Sequence, residues 1–170
     1  MLKPTVFLDR DGVLNIDKEY VFKVEDFEWI EGAKQSIKYF NDKKYLVIVI
    51  TNQSGLTRGF YNEKDLDKLH LHMNKDLKKL NANIDDFYYS PYHPDIINKK
   101  YDSLENFRKP NTGMLELASK KWKIDKSRSL MIGDKLSDME CANKFGINGY
   151  LFKDGSLLNF VQNIDLNKLW

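Results

Sequence analysis

The chain has 170 residues, 42% hydrophobic and 31% charged: about one domain at the usual ~150 residues, and too apolar to be disordered. Its 27 basic and 25 acidic residues leave a net charge of +2, so neither nucleic acid nor an anionic membrane is indicated as a partner. The longest apolar run, Tyr45 to Ile50, is far short of the ~20 residues of a membrane span, and the single cysteine, Cys141, excludes an internal disulfide and a four-thiolate metal cage. Met1-Leu2-Lys3-Pro4 enters a strand-like run with no leader pattern. A reduced, cytoplasmic, globular protein is expected, and a monomer.

Thr5–Leu8 reads as the first strand. Asn15 to Ile30, rich in aromatic and charged residues, reads as a hairpin or flap after it. Ala33, Ile37 and Phe40 mark a short helix, and Tyr45–Ile50 a second strand. From Asn62, a plausible N-cap, to Leu80, the residues Leu66, Leu69, Met73, Leu77 and Leu80 recur at spacings of three and four and form one apolar stripe of a helix. His70 and His72 on that helix are two apart, cannot form an i,i+4 metal pair, and are expected to face solvent. A third strand, Phe87–Tyr89, leads into Pro91–Arg108, a stretch without periodicity and long enough to suggest a functional loop. Met114, Leu117 and Ala118 mark the next helix, Ser129–Ile132 the fourth strand, Ser137-Asp138-Met139-Glu140 a capping box, and Gly146 a terminator. Cys141 is expected to be a small buried residue of that helix. Tyr150–Phe152 and a weak helix at Ser156–Val161 close the chain.

Strands that are apolar throughout, alternating with helices, predict an α/β fold: one Rossmann-like domain over residues 1–170, its parallel sheet covered by helices on both faces. Ligands of such sheets bind beyond the carboxyl ends of the strands. There the sequence places Asp9-Arg10-Asp11-Gly12-Val13, Thr51-Asn52-Gln53-Ser54-Gly55, Arg108-Lys109-Pro110 and Gly133-Asp134-Lys135, with Asp138 four residues beyond Asp134. Asp9 and Asp11, two apart on an extended segment, are expected to point the same way and Arg10 the other. Paired carboxylates repel unless a cation shares the site, and with Asp134 they form a hard, oxygen-only set suited to Mg²⁺.

These four segments resemble the motifs of the haloacid-dehalogenase phosphatase superfamily. Phe7 to Gly12, Ile50 to Gly55, Arg108-Lys109-Pro110 and Gly133 to Met139 are most similar to its D-glycero-D-manno-heptose 1,7-bisphosphate 7-phosphatase branch, to which histidinol-phosphate phosphatases are related. The resemblance runs from Val6 to Ile147. It implies Mg²⁺-dependent hydrolysis of a sugar bisphosphate through an aspartyl-phosphate. Asp9 would be the nucleophile and Asp11 the general acid/base. Thr51, the Asn52 amide and Lys109 would be phosphate donors, with Gln53 and Ser54 beside them. Asp9, the Asp11 carbonyl and Asp134 would hold Mg²⁺, with Asp138 orienting Lys109 or a metal-bound water. Asp17, Tyr20, Arg108 and Lys135 would contact the sugar or its second phosphate.

From Asp11 to Thr51 there are 40 positions and from Thr51 to Lys109 58, filled by core elements, so no separate cap domain is expected. The flap at 15–30 and the loop at 91–108 are left to shape the pocket. His93 in that loop and Arg58 are open between packing and substrate contact. Histidinol phosphate, a polynucleotide end, or a phospho-aspartate signalling role remain as alternatives. Relatives of the heptose branch often carry zinc through cysteines in the long loop; here the matching positions read Ser90-Pro91-Tyr92 and Glu105-Asn106-Phe107. No structural zinc is expected, and Tyr92 and Phe107 are expected to pack the loop base instead.

Overall fold

The structure, a computed structural model, describes residues 1–166; the last four positions of the expected 1–170 domain lie outside the described residues. Five parallel strands, β1 (Thr5–Leu8), β2 (Leu46–Asn52), β3 (Asp86–Ser90), β4 (Leu130–Gly133) and β5 (Asn148–Leu151), form one sheet in the order β3-β2-β1-β4-β5. The helices are α1 (Ala33–Asp42), α2 (Glu63–Lys78), α3 (Gly113–Lys121), α4 (Leu136–Phe145) and α5 (Leu157–Gln162).

Period-2 alternation divides each buried strand between two cores. Val6, Leu8, Val47, Val49, Leu130 and Ile132 face α1, α2 and α5 through Ile37, Phe40, Met73, Leu77, Leu157 and Val161. Phe7, Ile48, Ile50 and Met131 face α3 and α4 through Met114, Leu115, Ala118, Cys141 and Phe145. Both faces of the sheet are thus covered, which is why these strands read as unbroken apolar runs. Central β1, flanked by β2 and β4, sits where the strand order reverses, and its carboxyl end opens into the crevice that such a reversal creates.

Three expectations need correction. α2 begins as predicted, with Asn62 Oδ1 accepting from the Lys64 and Asp65 N–H groups, but it ends at Lys78 and leaves Leu80 outside. His70 is buried, not solvent-facing: its ring stacks on Phe87 (4.2 Å between centroids). His72 is half-buried, edge-on to Phe27. The N-cap of α4 is Lys135, two residues earlier than the expected cap, because Asp138 reaches back to accept the Lys135 N–H (3.0 Å).

The segment after β1 returns on itself, Ile16 N–H donating to Glu28 O and Ile30 N–H to Leu14 O (both 2.9 Å). The long loop ends in a 3-10 turn at Asp102–Phe107. Tyr101 and Leu104 pack it against Leu56, Tyr61 and Leu66. Phe107 joins the second core as expected, whereas Tyr92 contributes its carbonyl, accepting from Arg108 Nη1 (3.1 Å).

Candidate active site

β1 ends at Leu8, but Asp9 stays tied to the sheet because its N–H donates to Ile132 O of β4 (3.0 Å). The chain then turns tightly, the N–H groups of Leu14 and Asn15 donating to Arg10 O (2.8 and 3.1 Å). Gly12 serves this turn twice. Its φ is +84°, in the left-handed region, and a methyl group there would lie 2.3 Å from Asp134 Oδ2. The turn also overturns the extended arrangement expected of Asp9-Arg10-Asp11. The Arg10 side chain is wholly buried and does not point away: Nη2 donates to Asp11 Oδ1 and Oδ2 (3.1 and 3.0 Å) and to Val21 O (2.6 Å).

Lys109 arrives from the end of the long loop and is 3% exposed. Its Nζ lies 2.9 Å from Asp9 Oδ1, 2.7 Å from Asp138 Oδ1, and donates to Ile50 O at 2.9 Å. Asp138 thus pairs with Lys109 and not with solvent. The Asn52 carboxamide clamps the Lys109 main chain, accepting from its N–H (3.0 Å) and donating to its carbonyl (3.2 Å). A methyl group on Gly133 would sit 2.2 Å from Asp138 Cβ, so glycine is what lets α4 approach β4 this closely.

Burial pushes the Asp9 carboxyl up to about 7; Lys109 offsets part of that rise and Asp138 adds to it. Burial disfavours the charged form of Lys109, but Asp9 and Asp138 outweigh it and hold the amine above its ordinary range. Asp11 behaves oppositely: burial would raise it, yet Arg10, Asn15 and Gln53 together hold it below the usual carboxylate range. Asp134 is raised by burial, and its Oδ1 is buried without a hydrogen-bond partner among the described residues. Asp9, Asp134 and Asp138 each offer an oxygen within 4.8 Å of the others. Three crowded, partly desolvated carboxylates, two of them sharing one lysine and the third, Asp134, with an oxygen left without a partner among the described residues, fit a divalent cation.

A cavity of about 460 Å³ opens over these groups. Of the residues expected at the site, Asp9, Asp11, Asp17, Tyr20, Thr51, Asn52, Gln53, Ser54, Arg108, Lys109, Lys135 and Asp138 all line it. Asp134 lies beneath, against the turn at Gly12. Gln53 does more than line the wall: its Nε2 donates to Asp11 Oδ2 and Thr51 Oγ1 (both 2.8 Å), and its Oε1 accepts from Tyr61 (2.5 Å). At the mouth, Tyr20 packs edge-on against Phe60 (4.8 Å) and under Arg58. Arg58 Nη2 lies 3.2 Å from His93 Nε2, and the charge of Arg108 is felt by His93 as that of Arg58 is felt by Arg108, while Lys135 faces Asp17 at 3.7 Å. Arg10, Asn15, Glu19 and Tyr61 were not candidates from the sequence. Arg10 enters the site because the chain turns where its pattern reads as extended, and Tyr61 belongs to no motif.

Fold and site together are those of a haloacid-dehalogenase type phosphatase, and known proteins narrow the class. A family model described as Polynucleotide kinase 3 phosphatase matches residues 6–160. D-glycero-beta-D-manno-heptose-1,7-bisphosphate 7-phosphatase of Rhodopseudomonas palustris is 38% identical over 95% of this chain and 90% of its own length. The alpha-named counterpart of Campylobacter jejuni is 43% identical over 82% of this chain and 76% of its own. The crystal structure of D,D-heptose 1,7-bisphosphate phosphatase from B. bronchiseptica, complexed with magnesium and phosphate, has the same fold. Its TM-score is 0.82, with 24% identity over 94% of this chain and 96% of that one. The chain belongs to the Polynucleotide kinase 3 phosphatase family of the haloacid-dehalogenase superfamily, in the branch of the heptose bisphosphate phosphatases.

Proposed function

We propose that this phosphatase removes the 7-phosphate of D-glycero-D-manno-heptose 1,7-bisphosphate in the making of nucleotide-activated heptose for lipopolysaccharide or another surface polysaccharide. The observation that carries the reading is the cavity itself, with Asp9 and Lys109 among its buried lining residues and Arg108 and Lys135 lining it too. A substrate with a phosphate at each end suits that distribution. The reading takes the enzyme as a cytoplasmic monomer acting on a free sugar bisphosphate.

Asp9 attacks phosphorus and forms the aspartyl-phosphate, while Asp11 gives its proton to the departing sugar oxygen. Asp11 then takes a proton from the water that hydrolyses the phosphoenzyme, which frees phosphate and restores Asp9. Its lowered pKa suits the second half directly; the first half draws on the arriving phosphate dianion, whose charge favours protonation of a neighbouring carboxylate. The equatorial oxygens are met by Thr51 Oγ1, the Asn52 main-chain N–H, since the Asn52 side chain is taken by Lys109, and Lys109 Nζ, which exchanges its contact with Asp9 for the phosphoryl group as Asp9 attacks. Held by Asp9, the Asp11 carbonyl and Asp134, Mg²⁺ would offset the charge of carboxylate and phosphate as they approach.

Asp17 and Glu19 on the flap side of the mouth favour one other reading, histidinol phosphate, because they suit its cationic end. Lys135 faces Asp17, and Arg58 and Arg108 repel a cation, so the sugar bisphosphate is preferred. The test is a phosphate-release screen with Mg²⁺ over heptose bisphosphate, other sugar phosphates, histidinol phosphate and a 3′-phosphorylated oligonucleotide. Heptose bisphosphate should give the highest kcat/KM; preference for histidinol phosphate or the oligonucleotide would reject the assignment. Single turnover with lasting acetyl-phosphate labelling would point to a signalling module.

A further inference from the structure

Tyr61 lies outside the four motif segments, yet it lines the cavity and its hydroxyl is engaged in a buried hydrogen bond to Gln53, the residue that holds Asp11. We infer that Tyr61, acting through Gln53, is a positioning residue: it fixes the Gln53 carboxamide so that one NH₂ group holds Asp11 and Thr51 in a set relation. The inference rests on the reading of Asp11 as the acid/base.

The hydrogen-bond inventory leaves the amide one good orientation. Nε2 has two hydrogens and two acceptors in reach, Asp11 Oδ2 and Thr51 Oγ1, each at 2.8 Å. Oε1 has the Tyr61 phenol at 2.5 Å. Turned over, the amide would set its carbonyl against the Asp11 carboxylate, and the phenol would have to stop donating to Oε1 and accept from the NH₂ group instead. Without the phenol, Oε1 of a residue only 3% exposed would lack this donor, and a buried acceptor left so is costly enough to pull the carboxamide away from its present setting.

The orientation matters at Thr51. Because Thr51 Oγ1 accepts from Gln53, its own hydrogen must be donated elsewhere, and Thr51 lines the cavity. The relay therefore turns the hydroxyl into a donor toward a phosphoryl oxygen while it steadies the carboxylate that moves the proton. The ring is built in as firmly as the hydroxyl. It stacks on Phe22 (4.8 Å, 19° between planes), and a methyl group on Gly55 would come within 2.1 Å of its Cε1. Burial also pushes the phenol above its ordinary range, so it remains a donor at any working pH.

Tyr61→Phe keeps the ring and removes only this hydrogen bond. Phosphate release is measured on whichever phosphomonoester the wild type turns over, so a failed heptose assignment leaves the test intact. Asp11→Asn run alongside judges the acid/base reading separately. Tyr61→Phe is expected to lower kcat about five- to tenfold, in the upper part of the roughly two- to twelvefold span of one neutral hydrogen bond, with KM and the half-saturating Mg²⁺ within about twofold. In a Gln53→Ala background the same change should add nothing, because Tyr61 acts through Gln53. Gln53→Glu keeps the phenol's acceptor but removes both donors, and should cost kcat at least as much. Unchanged kcat in Tyr61→Phe, losses that add in the double variant, or a kcat fall matched by an equal rise in KM would overturn the inference.

Discussion

Asp9 and Asp11 are two residues apart in opposite electrostatic settings: one is raised by burial, the other lowered by Arg10, Asn15 and Gln53. Their substitutions should therefore fail differently. Asp9→Asn should abolish turnover, whereas Asp11→Asn should lower it by roughly 10²–10⁴, the usual span of a general acid/base, and let phosphoenzyme accumulate. Mass spectrometry of the trapped protein checks this; equal residual rates without phosphorylation would reject the division of labour. The raised Asp9 also links metal to proton. On the proposed reading Mg²⁺ competes with a proton for a carboxyl pushed up to about 7, so Mg²⁺ should bind more weakly at pH 6 than at pH 8 by calorimetry, with proton release on binding. Equal affinities would contradict that.

His70 gives a third prediction at this scale. Burial drives its pKa from 6.5 to about 3, so the folded state keeps it neutral while the unfolded chain takes up a proton below about 6.5. Stability is therefore complete above pH 6.5 and drains as pH falls toward 3, by at most about 1.4 kcal/mol per pH unit for one proton. Thermal melts of His70→Gln across pH 4–7 should show a flatter acid limb than the wild type; parallel limbs would refute it. At the level of single residues, the side chains that line the cavity were legible, because a hard cation, a nucleophile and a phosphate cradle would each demand particular side chains at strand ends. Arg10, His70 and Tyr61 were not, since each is defined by a partner distant in sequence or by a turn the pattern did not show.

Among the elements, buried ones announced themselves and polar edges did not. β2 runs on to Thr51 and Asn52, which pair with Tyr89 and Ser90, and β5 starts at Asn148-Gly149, exposed positions without an apolar signal. α4 begins early because a carboxylate three residues inside caps it. The loop from 91 to 108 lacked periodicity because its order comes from Tyr101 and Leu104 inserted beside α2 and from Lys100 and the Tyr101 hydroxyl meeting Glu63. Its matching positions hold no thiolate, and both nitrogens of His93 face partners, Arg58 Nη2 and the Asp95 N–H (each 3.2 Å). Metal analysis of purified, untagged protein should therefore find no stoichiometric zinc; one equivalent would mean the loop is held differently.

For the whole molecule, the sheet order places β1 between β2 and β4, so three loops distant in sequence meet above one carboxyl edge. Among the described residues no separate cap domain closes over them; Asp17, Glu19 and Tyr20 after β1 and Arg108 at the end of the long loop line the cavity with Lys135, and Tyr20 packs against Phe60. A core of this design commits the chemistry to one floor and leaves substrate choice to the rim, which is why the class was clear from motif residues while the choice of sugar rests on fewer groups. The most direct test of the central claim is regiochemical. Phosphorus NMR should follow D-glycero-D-manno-heptose 1,7-bisphosphate with the protein and Mg²⁺. The 7-phosphate signal should be replaced by inorganic phosphate, many equivalents per protein, while the anomeric phosphate persists. Loss of the anomeric phosphate, or an unchanged spectrum under conditions where another phosphomonoester is consumed, would contradict the account.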